Sequence, residues 1–195
     1  MMNIANTYWR ADDHFGHKNI LHLCNRPFQT IDEWAHVSIT NHNSVVSDAC
    51  TVWYMGDFAY KCSSEYTVEC LRQLNGQIRI ILGNHDKPLR QAVQRGLIQD
   101  LIRKDKVIIV GSLDQNISTS LSISIDGQDF FMSHYAHRTW PGAFRGTIHL
   151  YAHSHNNLAS LYKSFDTGVD ANHYFPISGT QIMAKASLVT KEFTE

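Results

Sequence analysis

Five short segments of this 195-residue chain carry metal-type side chains in an order that supplies the ligands of a two-metal site: Asp12-Asp13-His14, Gly56-Asp57, Gly83-Asn84-His85-Asp86, Ser133-His134 and His153-Ser154-His155. Imidazole, carboxylate and amide oxygen, with no thiolate among them, form a ligand set for borderline divalent metals such as manganese, iron, zinc or nickel. A structural zinc cage draws on thiolates instead. The chemistry expected of such a set is catalytic.

The segments fall where short β-type runs stop. Thr7 to Ala11 reads as a strand running into Asp12, Thr51 to Met55 as one running into Gly56-Asp57, and Ile78 to Leu82 as one ending at Gly83-Asn84. Between the first two, Thr30-Ile31-Asp32-Glu33 is a capping box that opens a helix with Ile31, Trp34, Ala35, Ile39 and Val46 on its apolar side. His42 and Asn43 fall on its exposed face. A second helix is expected from about Ser64 to Leu74.

The second half reads as β-rich. Leu121 to Ile125 and Gln128 to Ser133 flank Asp126-Gly127, a type I′ hairpin signal that leads an antiparallel pair into His134. Thr147 to Ala152 leads into His153, and the alternation of Ala186 to Phe193 predicts a closing strand. A βαβαβ unit followed by such a half packs as two facing sheets covered by helices.

Composition narrows the function classes. The 43% hydrophobic content suits one sizeable core without a linker, and the formal net charge of -1 gives no broad attraction to DNA or an anionic membrane. Cys24, Cys50, Cys62 and Cys70 contain no C-x-x-C pair, so reduced thiols are expected. No apolar run approaches membrane-spanning length, and residues 1–10 lack a signal-peptide pattern, which makes a cytoplasmic protein with a small soluble substrate the expectation.

Taken in order, the five blocks resemble the calcineurin-like metallophosphoesterases, whose pattern is D-x-H, G-D, G-N-H-D/E, H and G-H-x-H. They span residues 12 to 155. Phe15 to Ile20 and the stretches Arg138 to Trp140 and His149 to Tyr151 are similar to a small bacterial and phage branch of that family. The resemblance implies a single domain over residues 1–195, with two facing mixed β-sheets flanked by helices in an α/β/β/α sandwich, the metallo-dependent phosphatase fold. It implies that Asp12, His14 and His155 hold one divalent ion, that Asn84, His134 and His153 hold a second, and that Asp57 bridges them. Two ions clamped in this way, manganese being the first expectation, sit about 3.5 to 4 Å apart and generate the hydroxide that attacks phosphorus. His85 stays off the metals as general acid, with Asp86 as its orienting partner. The reaction class implied is hydrolysis of a phosphodiester or nucleotide-like ester. A small nuclease of the same fold and a non-catalytic metal-binding scaffold are the competing readings.

Outside the ligand set, His17, Arg138 and Arg145 are candidates for substrate contact, with ordinary packing as the alternative for each. Trp140 lies in the same loop as the two arginines and offers a ring for a base. Asp13 reads as a solvated loop residue, and the carboxylates of Asp166 and Asp170 as structural. Ala152 stands where the family pattern has glycine and strains the backbone only if that position needs a positive φ. Arg10-Ala11 replaces the small polar residue that often precedes the first aspartate.

Overall fold

The structure, a computed structural model, describes residues 2–114 and 116–190. The chain runs β1 (Thr7–Arg10), α1 (Ile20–Leu23), α2 (Ile31–Val45), β2 (Thr51–Tyr54), α3 (Ser64–Gln73), β3 (Gln77–Ile81), α4 (Lys87–Gln94), α5 (Gln99–Arg103) and β4 (Val107–Val110). It continues through β5 (Ser120–Ile125), β6 (Gln128–Ser133), β7 (Ile148–Tyr151), β8 (Ser164–Asp166), β9 (Ile177–Ser178) and α6 (Gly179–Ser187). One sheet has the order β4-β3-β2-β1-β9, with β1 to β4 parallel and β9 antiparallel to β1. The other has the order β5-β6-β7-β8, where β5 and β6 form the antiparallel hairpin and β6, β7 and β8 run parallel. The architecture is therefore α/β with two mixed sheets.

Local chemistry sets the boundaries. Thr30 Oγ1 accepts from the Glu33 amide at 3.0 Å, and the Glu33 carboxylate reaches back to the Gln29 amide at 2.7 Å, so α2 opens as its capping signature requires. The hairpin turn places Asp126 at φ 50 and Gly127 at φ 79, the doubly positive geometry of a type I′ turn. In β5, Leu121, Ile123 and Ile125 alternate with exposed Ser120, Ser122 and Ser124, which puts one face on the core.

The apolar faces pair off by layer. Val52, Tyr54, Ile78 and Ile80 meet Ala35, Ile39, Val68, Leu71 and Leu89, burying one face of the first sheet beneath α2, α3 and α4. Its other face, with Trp9, Trp53, Met55 and Ile81, packs on Phe130, Met132, Ile148, Leu150 and Phe165 of the second sheet. Each such fully buried side chain contributes about 1.5 to 3 kcal/mol. This double burial is why the parallel strands read as continuous apolar runs.

Two expectations need correction here. The closing strand over 186–193 is not formed: Ala186 and Ser187 end α6, which is opened by a Ser178/Gln181 capping box and buries Ile182 and Ala186, while 191–193 lie outside the described residues. His42 is fully buried, its Nε2 donating to the Asn75 carbonyl at 3.0 Å. On the outer face of the second sheet, Phe131 and His149 meet His137 and Trp140 from the 134–147 segment. No helix among the described residues is long and apolar enough to cross a membrane.

Candidate metal centre

The parallel strands β1, β2, β3, β6 and β7 all point their C-terminal ends at one edge of the sandwich, and each is followed within a few residues by a metal-type side chain. Crevices beyond the carboxyl ends of parallel strands are where open α/β sheets bind ligands. Here the backbone is also bent out of the ordinary regions. Asp12 (φ 63), His14 (φ 53), Asp57 (φ 54), His153 (φ 68) and His155 (φ 48) all occupy the left-handed region. Such conformations cost free energy and cluster where function demands them. Ala152 is not among them, so the missing glycine imposes no strain on the last motif.

The five segments supply two donor groups. Asp12, His14 and His155 bring ligand atoms within 4.8 Å of one another, and Asp57, His134 and His153 do the same. Asp57 lies between the groups: its Oδ2 is 3.6 Å from His14 Nε2 and 3.4 Å from His134 Nε2. Its Oδ1 is engaged by the His85 amide at 2.8 Å. Asn84 Oδ1 completes the second group, 3.0 Å from His134 Nε2. Two glycines give the carboxylates room, because a Cβ at Gly83 would collide with Asp57 Oδ1 and one at Gly168 would come within 2.6 Å of Asp12 Oδ2.

The orientation of the imidazoles fits a cation. His134 donates Nδ1–H to the Met55 carbonyl at 2.8 Å and His155 gives its Nδ1 to Asp170 Oδ2 at 2.7 Å, leaving Nε2 of each turned into the cluster. Nε2 of His14 and Nε2 of His155 approach to 3.3 Å. Asp12 Oδ1 is buried with no hydrogen-bond partner among the described residues, a costly arrangement for a carboxylate oxygen that coordination to a cation would relieve. Burial opposes protonation of His155, but its bonds to Asp170 and Cys24 and the charge of Asp12 raise it to about 10. His134 rises to about 9 because Asp57 and Asp12 outweigh its burial. Burial lifts Asp12 to about 7 against the pull of His134 and His155. A cation taken up among these groups would displace protons, coupling its affinity to pH.

No family model matches the chain. The chain is 30% identical over 185 residues to uncharacterized protein MJ1445 of Methanocaldococcus jannaschii, which covers 91% of this chain and 89% of that protein. The chain belongs to the MJ1445 family. An 88-residue stretch is 32% identical to the Gene 66 protein of Mycobacterium phage L5, covering 44% of this chain and 42% of the phage protein. The crystal structure of AQ665 from Aquifex aeolicus, a protein of unknown function, has the same fold: the TM-score is 0.65 at 20% identity, over 92% of this chain and 98% of that one.

In this member of the MJ1445 family, residues around the cluster depart from several sequence expectations. Asp86 does not orient His85. Its buried carboxylate accepts from the amides of Gly83, Asp57 and Phe58 at 2.7 to 2.9 Å, tying the second and third motifs together. Burial and the nearby Asp57 raise it to about 6. The His85 ring instead lies 4.3 Å from Tyr60 and 5.6 Å from His14. Tyr60 also meets His17 edge-on at 4.8 Å, so the two histidines flank one phenol at the mouth of the cluster.

Asp13 is fully buried rather than solvated. It pairs with Arg10 and accepts from Ser38 and Tyr54, an ionic knot under β1 that also accounts for Arg10 at a buried position. Arg145 is not at the metal edge: it lines a pocket with Asp129, Phe130 and Thr147, at the opposite ends of β6 and β7 from His134 and His153. Trp140 is buried with its Nε1 donating to the Thr147 carbonyl, and Arg138 is exposed.

Sequence reasoning missed Arg26. Its guanidinium bonds both oxygens of Asp170 at 2.7 and 2.8 Å and the carbonyls of Asp12 and Asp13 at 2.6 and 2.9 Å, joining the first motif to the carboxylate that orients His155. Nothing in its local sequence marks it, and Asp170, read from the sequence as structural, here bonds the His155 ring.

Proposed function

We propose that the chain is a metal-dependent phosphoesterase of the metallo-dependent phosphatase fold, hydrolysing a phosphodiester or nucleotide-like ester. The observation that carries the reading is Asp57, whose carboxylate faces an imidazole of each donor group at 3.4 and 3.6 Å. One group would hold an ion through Asp12, His14 and His155, the other through Asn84, His134 and His153, with Asp57 shared. When bound, a pair of dications supplies positive charge for phosphate oxygens and acidifies a water.

The chain's own residues supply the rest. His85 is held by its backbone, because its amide is fixed on Asp57 Oδ1 while its ring stays outside the ligand set, beside Tyr60. That leaves the imidazole available to give a proton to the departing ester oxygen as the phosphorus–oxygen bond breaks. His17, which meets Tyr60 edge-on, would contact a phosphate oxygen of substrate. Asp170 and Arg26 hold the His155 ring and the backbone of the first motif in register.

The test is a hydrolysis screen of cyclic nucleotides, linear oligonucleotides, dinucleoside polyphosphates and monoesters, each with manganese, nickel, zinc or magnesium. Metal-dependent turnover of at least one class, abolished by a chelator, is expected. Full-length protein with bound metal and no turnover of any class would favour a scaffold.

A further inference from the structure

Arg90, on α4, is buried with only 6% of its surface exposed. Its Nη2 donates to the Gly83 carbonyl at 2.9 Å, but Nε and Nη1 have no hydrogen-bond partner among the described residues. Burying a guanidinium with two unused donor nitrogens is costly, and an acceptor that completes the fork removes the cost. Arg90 lines a pocket of about 130 Å³ whose wall includes Asn84, Asn116, Ser118 and Tyr135 and, among the described residues, no carboxylate. The planar donors of arginine match a phosphate, and the amides and hydroxyls around it are neutral groups that can bond the same anion.

The pocket adjoins the metal centre. Asn84 lies on its wall and also 3.0 Å from His134 Nε2, while the Tyr135 ring packs edge-on against His134 at 5.1 Å and His153 at 4.6 Å. A phosphoryl group in this pocket would therefore sit beside one held by the Asp57, His134 and His153 group. We propose that Arg90 and its pocket form an anion subsite for a second phosphoryl group, so that the preferred substrates carry two neighbouring phosphoryl groups, as a phosphoanhydride does. The substrate class rests on the phosphoesterase reading. The anion site itself does not.

The experiment is calorimetric titration of the full-length protein, with its metals as purified, using inorganic pyrophosphate and orthophosphate in parallel. Pyrophosphate is expected to bind about 10-fold or more tightly than orthophosphate, the scale of one charge-assisted hydrogen bond. Arg90→Gln should bring the ratio close to one. Because Arg90 also holds the Gly83 carbonyl, Ser118→Glu serves as a second variant: Ser118 is exposed, and a carboxylate there repels or displaces an anion while Arg90 and its bond to the Gly83 carbonyl are kept. Equal affinities in the wild-type protein, or a pyrophosphate preference that survives both substitutions, would overturn the subsite. If metal analysis finds no bound ion, the phosphoesterase reading falls, yet the titration still decides: pyrophosphate binding lost in both variants keeps the anion site, and a flat wild-type titration removes it.

Discussion

Asp170 accepts a 2.7 Å hydrogen bond from Nδ1 of His155 while both its oxygens grip Arg26, so one carboxylate sets the imidazole's tautomer and anchors the loop of the first motif. Outer carboxylates of this kind raise the basicity of a ligating imidazole and fix its ring. Asp170→Ala is expected to weaken metal binding about 10- to 100-fold in a chelator-competition titration. Unchanged affinity would assign Asp170 to loop packing alone.

His85 separates chemistry from assembly. His85→Ala should keep full metal content by elemental analysis and lose about two to four orders of magnitude in kcat, the range for a general acid. Loss of metal equal to that of an Asp57→Asn variant would instead make His85 a ligand or a prop.

The Asp13 knot is a stability element. Asp13→Ala leaves Arg10 charged and buried with its main partner gone, and removing one member of a buried pair costs about 3 to 5 kcal/mol. Urea unfolding should show a loss of that size, and a change under 1 kcal/mol would mean the site relaxes by admitting water.

Two buried histidines away from the metal edge predict acid sensitivity. Burial lowers His42 from 6.5 to about 3 and His149 from 6.5 to about 4. His42 Nδ1 has no partner among the described residues, so protonation would add an unsatisfied N–H in the core. The unfolded chain thus binds more protons than the folded one across this window. Their contribution is fully present above pH 6.5 and is lost as pH falls toward 4 and then 3. Chelator-treated protein, which removes metal release as a cause, should lose thermal stability more steeply over that range than its His42→Gln variant, and equal slopes would contradict the assignment.

The sequence exposes the ends of β1, β2 and β3 because double burial makes the strands apolar and the turns after them polar, so Asp12, Asp57 and Asn84 stand out by contrast. Asp13 and His42 are not legible in that way, since a polar residue in a turn or on a helix is normally solvated and only tertiary contacts with Arg10, Tyr54 and Asn75 bury them. The alternation after Ala186 is misleading because it continues the apolar spacing of α6. The Ser178 and Gln181 pair was the available signal for that helix, its capping box joining residues three apart. Arg145 defeats local reasoning for another reason: tethering between His134 and His153 still lets a loop turn back to the far ends of β6 and β7.

The central claim is the two-ion centre shared by Asp57, and anomalous diffraction from crystals grown with manganese tests it most directly. Two ions per chain are expected, one against Asp12, His14 and His155, one against Asn84, His134 and His153, with Asp57 touching both. A single ion, or a pair of ions that leaves Asp57 untouched, would contradict the account.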